Sequence, residues 1–399
     1  MADDMGWGDV GFHGGTVPTP NLDRLAAEGT ELTRFYVFPS CSPTRAAVLS
    51  GLLPQRLGIP GPVRRVDPGL PVTTPLLPQI LQEAGYHTAM IGKWHLSGEE
   101  SVEQRPHHRG FTQFYGSYHT DLDYFTRRNG RDQLDWWRND QQVEEAGYLT
   151  RLQGNEGAKI IRETTEEPLF LFFAPHAPHA PFQAPEKTEA LYADRRGRNA
   201  AVYAAMIDEF DDAVGQVLTA IDESEQAHNT LVIFFSDNGG LRFSQPNPHR
   251  GFKNTLYEGG ILAPAVVRWP GVTTPGAQRE SLSSATDLMP TLLKAAGVPS
   301  ASIPESDGVD LKPLLAQSES AGREFLVIGN HQYVLITPDW KLVENGTNSE
   351  LYHLANDPEE TTDLAKKHPD KISELARLLT EQVSALPIYE ARTRQRRRN

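Results

Sequence analysis

The sequence predicts an α/β fold: a large mixed, mostly parallel sheet sandwiched by helices, followed by a small C-terminal antiparallel sheet plus helix. Three observations carry this. Leu169-Phe170-Leu171-Phe172-Phe173 and Leu231-Val232-Ile233-Phe234-Phe235 are short continuous apolar runs, the pattern of strands covered on both faces. Between them Met206, Ile207, Phe210, Val214, Val217, Leu218 and Ile221 recur at helical spacing, a core stripe on a helix over residues 200–221. Near residue 325 the character changes: residues 333–343 alternate like a strand, residues 350–354 form another short strand, and residues 372–386 read as an amphipathic helix. The domains expected from this are 1–325 and a C-terminal α+β subdomain over 326–399.

A chain of 399 residues with 38% hydrophobic residues can bury a full core and suits one large domain with a smaller one. The balance of 38 basic against 52 acidic residues, net −14, argues against nucleic acid or an anionic membrane as a general partner. A site for an anion would then need locally concentrated Lys, Arg, His or metal. The one cysteine excludes an internal disulfide and carries no evidence of compartment, so periplasmic, secreted and cytoplasmic locations all stay open. No apolar run is long enough to span a membrane, and the arginine-rich tail over 392–398 reads as a solvated end.

The chain opens with Asp3 and Asp4 among glycines. Paired carboxylates on such a loop suit a hard cation such as calcium, or simply a solvated turn. Thr19–Ala26 is a capped helix ending at Gly29, and Phe35–Phe38 leads on to Ser40-Cys41-Ser42-Pro43-Thr44-Arg45. Pro43 fits the first turn of a helix, which puts Cys41 at a helix N-terminus where orphan N–H groups and the dipole favour an anion. Arg45, four residues on, lies over the same face. The plain alternative for a lone cysteine is a small buried hydrophobe. A Pro/Gly-rich loop over 58–71 carries Arg64 and Arg65, facing solvent or substrate.

After a helix near Leu76–Ala84, a short apolar strand delivers Lys93 and His95 on the same side of an extended chain. Residues 103–150, rich in charged and aromatic residues, read as a long insertion over the pocket and a place for substrate selection. The first apolar run ends in a loop holding His176 and His179, whose prolines forbid a helical metal pair. The second ends in Asp237-Asn238-Gly239-Gly240, at the carboxyl end of a strand where an open α/β sheet places its ligands. Residues 249–260 carry Lys253, a strand follows over 264–271, and Thr286–Leu293 is another capped helix.

In this order the segments resemble the type I, formylglycine-dependent sulfatases of the alkaline phosphatase superfamily. The matching motifs are Asp3-Asp4-x-Gly6-x-Gly8-Asp9, Cys41-x-Pro43-x-Arg45, Gly92-Lys93-Trp94-His95, His179 with Gln183 and Pro185, Asp237-Asn238-Gly239-Gly240, and Arg250-Gly251-x-Lys253 leading to Glu258-Gly259-Gly260. Gly6–Gly14, Gly85–His95 and Arg109-Gly110-Phe111 look most like the arylsulfatase B (N-acetylgalactosamine-4-sulfatase) branch.

The resemblance implies an alkaline phosphatase-like fold and cleavage of sulfate monoesters, of aryl or carbohydrate type. It implies one calcium ion held by Asp3, Asp4, Asp237, Asn238 and the residue at 41, and a Cys41 oxidised to formylglycine by a formylglycine-generating enzyme. The hydrated aldehyde would attack sulfur, with Arg45, Lys93 and Lys253 stabilising the transferring group. His179 and Lys253 would assist the leaving alcohol, and His95 would take the proton from the second hydroxyl so that sulfate is expelled. His176 is then a supporting residue. The family has an apolar strand ahead of its paired aspartates, so its absence here reads as a truncated start. Two rivals remain. One is a phosphodiester or phosphonate monoester hydrolase of the same superfamily, disfavoured because those enzymes resemble Asp-His where this chain has Asp237-Asn238. The other is a non-catalytic sulfoglycan-binding protein.

Overall fold

The computed structural model describes residues 1–99, 101–244, 248–316, 322–345, 348–384 and 386. In chain order the strands of the main body are β1 (Thr30–Leu32), β2 (Phe35–Tyr36), β3 (His87–Lys93), β4 (Gln113–Ser117), β5 (Trp137–Arg138), β6 (Gln141–Gln142), β7 (Leu169–Ala174), β8 (Val232–Phe235), β9 (Leu262–Ala263), β10 (Ala265–Arg268), β11 (Ala277–Arg279) and β12 (Ser283–Ser284). The C-terminal strands are β13 (Leu326–Gly329), β14 (Tyr333–Ile336), β15 (Trp340–Asn345) and β16 (Asn348–His353).

The fold is α/β, with the main sheet material divided into mixed sheets. One has the order β6-β5-β4-β3-β7, with β3 parallel to both β4 and β7. A second has the order β11-β1-β10-β8, in which β10 runs antiparallel to both neighbours, and a small third is β12-β2-β9. The two larger sheets meet across the first two residues. The Met1 amino group donates to the Phe173 carbonyl of β7 at 2.9 Å, Ala2 N–H donates to the Phe235 carbonyl of β8 at 2.9 Å, and Asp237 N–H donates to the Ala2 carbonyl at 3.0 Å. Asp3 and Asp4 therefore emerge at the carboxyl ends of β7 and β8, beside the end of β3.

Alternation along the strands builds a core on each face. Met90 and Phe172 point to one side, among Ala46 and Leu49 of the helix Cys41–Ser50. Ala89, Ile91 and Val266 point to the other, against Leu22, Ile160, Met206 and Phe210 of the helices Pro20–Glu28, Leu149–Glu163 and Arg198–Asp222. The apolar stripe read from residues 200–221 is the buried face of the last of these. At Gly92, φ is +107° and an added Cβ would lie 1.9 Å from the Ala174 carbonyl oxygen, so only glycine lets β3 close on β7 just before Lys93.

Two expectations are revised. Residues 103–150 are not simply an insertion, because β4 lies inside the five-stranded sheet beside β3. Gln-Phe-Tyr-Gly-Ser has neither strict alternation nor a continuous apolar run, so its burial by neighbours was not visible locally. Arg64 is exposed as expected, but Arg65 is largely covered and sits near Glu99, Asp121 and Asp135.

The C-terminal strands form an antiparallel meander, β13-β14-β15-β16. One face, with Ile328, Val334, Ile336 and Val343, joins the core of the main body, while Leu335, Leu342 and Leu351 pack beneath Leu375 and Leu379 of the helix Pro369–Val383. The basic tail over 392–398 lies outside the described residues.

Candidate active site

Ser40, extended at φ −157° and ψ 164°, turns the chain into the helix Cys41–Ser50, and Thr44 Oγ1 accepts the Phe38 N–H at 2.9 Å. Every residue of this helix is buried, an unusual setting for the arginine it carries. Arg45 is satisfied inside the protein: Nε and Nη2 donate to Asp237 Oδ2 at 3.1 and 2.8 Å, Nη2 lies 3.4 Å from Asp3 Oδ2, and Nη1 donates to the Lys93 carbonyl. Lys93 Nζ donates to Asp3 Oδ2 at 2.5 Å, and Lys253 Nζ donates to Asp4 Oδ1 at 2.5 Å. Asn238 Nδ2 shares Asp4 Oδ1 at 2.9 Å. Three buried carboxylates thus interleave with three cations, and their formal charges cancel.

The three histidines differ by their hydrogen bonds. His95 Nε2 lies 3.0 Å from the Val63 carbonyl, an acceptor only, so that nitrogen carries the ring proton. The lone pair of Nδ1 then faces Cys41 Sγ at 3.2 Å. His176 accepts at Nδ1 from Gln153 Nε2 at 2.9 Å and donates from Nε2 to Ser117 Oγ at 2.6 Å, which occupies both nitrogens. His179 donates from Nδ1 to the Ala180 carbonyl at 2.6 Å, leaving Nε2 turned toward Thr120 Oγ1 at 3.4 Å and Asp4 Oδ2 at 3.8 Å.

Burial and charge set the protonation states. Burial, then the nearby Lys93 and Arg45, holds the His95 ring well below its ordinary range, so it is a neutral base. Burial raises the Cys41 thiol despite Lys93 and Lys253, so an unmodified sulfur is a thiol rather than a thiolate. For Asp3 burial alone would favour the acid, but Lys93, His179, Arg45 and Lys253 outweigh it and hold the carboxyl below the usual range. Asp237 is pushed up to about 6 by burial and by Asp3, against the pull of Arg45. Burial works against the Lys253 ammonium, yet Asp4 pushes it up and keeps it charged.

Two buried oxygens, Asp3 Oδ1 and Asn238 Oδ1, have no hydrogen-bond donor. Oxygens of Asp3 and Asp4 and a ring nitrogen of His179 lie within 4.8 Å of one another. Buried acceptors without donors, beside carboxylates, fit a hard divalent cation such as calcium.

The structure brings all the expected residues into one place: Asp3, Asp4, Cys41, Arg45, Lys93, His95, His179, Asp237, Asn238 and Lys253. Asp4 at φ +75° and His95 at φ +58° occupy the left-handed region that non-glycine residues rarely adopt. Sequence reasoning missed two supports. Tyr203 OH, on the long helix, donates to the Asp4 carbonyl at 2.9 Å, and Ser42 Oγ donates to the His95 carbonyl at 2.8 Å while accepting Val63 N–H at 3.0 Å. Tyr203 reads as one more residue of a buried helical face, and nothing in its spacing distinguishes it.

Comparison with known proteins places this geometry. The Sulfatase family matches residues 1–298, and the C-terminal family of N-sulphoglucosamine sulphohydrolase matches 249–387. Human N-acetylgalactosamine-6-sulfatase is 35% identical over 352 residues, 81% of this chain and 66% of that protein. Human arylsulfatase A is 36% identical over 355 residues, 82% of this chain and 68% of that protein. These relatives do not carry the name arylsulfatase B, the branch the motifs suggested. The crystal structure of Ps i-CgsB has a TM-score of 0.89 at 28% identity, covering 96% of this chain and 91% of that one. The chain therefore spans about two thirds of the length of the curated relatives it matches. From the family match over residues 1–298, the chain belongs to the sulfatase family.

Proposed function

We propose that this chain hydrolyses sulfate monoesters, of sulfated carbohydrates in its natural setting, with residues 1–325 as the catalytic domain and 326–399 as a supporting subdomain. The observation that carries the reading is the buried array around Cys41: a neutral His95 Nδ1 at 3.2 Å, with Arg45, Lys93 and Lys253 interleaved among three carboxylates. Carbohydrate is supported by relatives. One is named for N-acetylgalactosamine 6-sulfate chemistry, and Ps i-CgsB, 28% identical, has been solved with k-i-k-neocarrahexaose.

Asp3, Asp4, Asp237 and Asn238 would hold calcium. The ion would lower the pKa of a hydroxyl it binds and draw charge from the sulfuryl oxygens, and formylglycine made from Cys41 by its generating enzyme would supply that hydroxyl. The remaining chemistry belongs to the chain. His95 Nδ1 turns its lone pair to the residue 41 side chain and would take the proton of the second hydroxyl there, so that the C–O bond to sulfate breaks, sulfate leaves and the aldehyde is restored. Arg45 and Lys93, both fully buried, supply fixed positive charge that costs no reorganisation during transfer. Lys253 stays protonated, contacts the sulfuryl group with Arg45 and Lys93, and is the donor for the leaving oxygen. His179 Nε2 is unprotonated in the tautomer its Ala180 bond requires, so it orients that oxygen or acts only after taking up a proton.

The test compares initial rates on an aryl sulfate, an aryl phosphate monoester and an aryl phosphodiester, with calcium and with Cys41→Ala alongside. Sulfate turnover that Cys41→Ala abolishes without loss of fold is expected. Turnover retained by that variant overturns the mechanism, preference for the phosphodiester favours the related hydrolases, and binding of sulfated sugars without turnover marks a non-catalytic protein.

A further inference from the structure

A second buried ionic cluster lies outside the site and ties it to the C-terminal sheet. Lys341, on β15, is fully buried, and its Nζ donates to Glu258 Oε1 at 2.8 Å and pairs with Glu360 Oε1 at 2.7 Å. Glu360 Oε2 accepts the Glu258 N–H at 2.7 Å, and Tyr36 OH donates to Glu258 Oε2 at 2.9 Å. Glu360 itself sits at φ +55°, a conformation its surroundings must impose. Every polar group of Glu258 is thus held, two of them by residues that follow the catalytic body in the chain.

Glu258 closes the loop that carries Lys253. Gly259 N–H donates to the Arg250 carbonyl at 2.7 Å, Gly239 N–H to the Gly260 carbonyl at 3.0 Å, and Lys253 N–H to the Gly240 carbonyl at 2.8 Å. An added Cβ at Gly239 would lie 2.1 Å from the Gly259 carbonyl oxygen, so this turn is packed directly against the residue after Asn238. Asn254 N–H reaches the Pro39 carbonyl at 2.8 Å, two residues before Cys41. A shift at Glu258 is therefore passed through this packed turn to the backbone of Lys253, from which its ammonium reaches Asp4.

We infer that Lys341 and Glu360 are positioning residues for Lys253, so that the C-terminal sheet sets the placement of a sulfate-binding cation through Glu258. The inference rests on the reading of Lys253 as a group that contacts sulfate. Removal of a buried cation alone can prevent folding, so Lys341→Met is paired with Lys341→Met/Glu360→Gln, which leaves one carboxyl able to take up a proton.

Each is made in the wild-type and Lys253→Ala backgrounds, and kcat and KM for an aryl sulfate are measured on folded protein with equal conversion of Cys41. A displaced cation is expected to lower kcat/KM by about 10- to 100-fold in the wild-type background. In the Lys253→Ala background the same changes are expected to cost less than about twofold, because the residue they act through is gone. Equal losses in both backgrounds, or no loss in the first, overturn the inference. Calorimetric titration of inorganic sulfate repeats the comparison without turnover. Weakened binding that disappears in the Lys253→Ala background supports the inference even if no sulfate ester is cleaved, the result that would instead overturn the functional reading.

Discussion

Arg45→Met removes the one arginine of the buried array while keeping the bulk of its apolar stem. In the native protein the guanidinium is fully buried, donates twice to Asp237 Oδ2 and lies 3.4 Å from Asp3 Oδ2. Without it, Asp237, already pushed up to about 6 by burial and Asp3, loses the largest charge pulling the other way and is left chiefly with Lys93. Removing one partner of a buried ion pair costs about 3–5 kcal/mol, chiefly from the charge left behind. Unfolding entropy of ~2.1 cal/mol/K per residue gives roughly 0.8 kcal/mol/K for 399 residues, so the expected fall in Tm is about 4–6 °C. Scanning calorimetry at fixed calcium reads this directly. Adding Asp237→Asn should recover about half of the loss, because the stranded carboxylate is gone. A single variant that melts within about 1 °C of wild type would refute the idea that the array is an electrostatically balanced unit.

Other consequences follow from the same geometry. His95→Gln should lower kcat for an aryl sulfate by about 10²- to 10⁴-fold with little change in KM, and an unchanged kcat would remove His95 as the base. Burial, reinforced by Lys93, keeps the His176 ring neutral well below 6.5, so below pH 6.5 the unfolded chain binds a proton that the folded one does not. Its contribution to stability is complete above pH 6.5 and lost by up to ~1.4 kcal/mol per pH unit as pH falls. Denaturation midpoints from pH 7.5 downward should therefore be flatter in His176→Gln, and parallel profiles would contradict the assignment. Calcium at 100 times its Kd should raise stability by about 2.7 kcal/mol, and Asn238→Ala should weaken that effect, whereas equal calcium responses would exclude the amide oxygen as a ligand. Gly92→Ala should fail to fold or melt far lower, because the added methyl would meet the Ala174 carbonyl; a wild-type Tm would show that β3 and β7 can part there.

What was legible in the sequence follows from how locally each feature is specified. β3, β7 and β8 announce themselves as apolar runs ending in polar residues, and so do the positions of Lys93 and Asp237 at their carboxyl ends. Pro43 marked the helix that holds Cys41. β4 was hidden because its burial comes from β3 and β5 on either side, not from its own composition. The division of the main sheet turns on Met1 and Ala2, two residues too few to show any period. Tyr203 and the Lys341–Glu258–Glu360 cluster join segments far apart in the chain, and no spacing rule reaches across such separations.

The central claim is that residue 41 works as an oxygen nucleophile rather than as a thiol. The most direct measurement is peptide mass spectrometry of the segment around Cys41, taken together with aryl sulfate turnover, on protein made with and without a formylglycine-generating enzyme. Turnover in proportion to the fraction carrying the aldehyde mass is the expected result. Full turnover from protein in which Cys41 is wholly unconverted would contradict it.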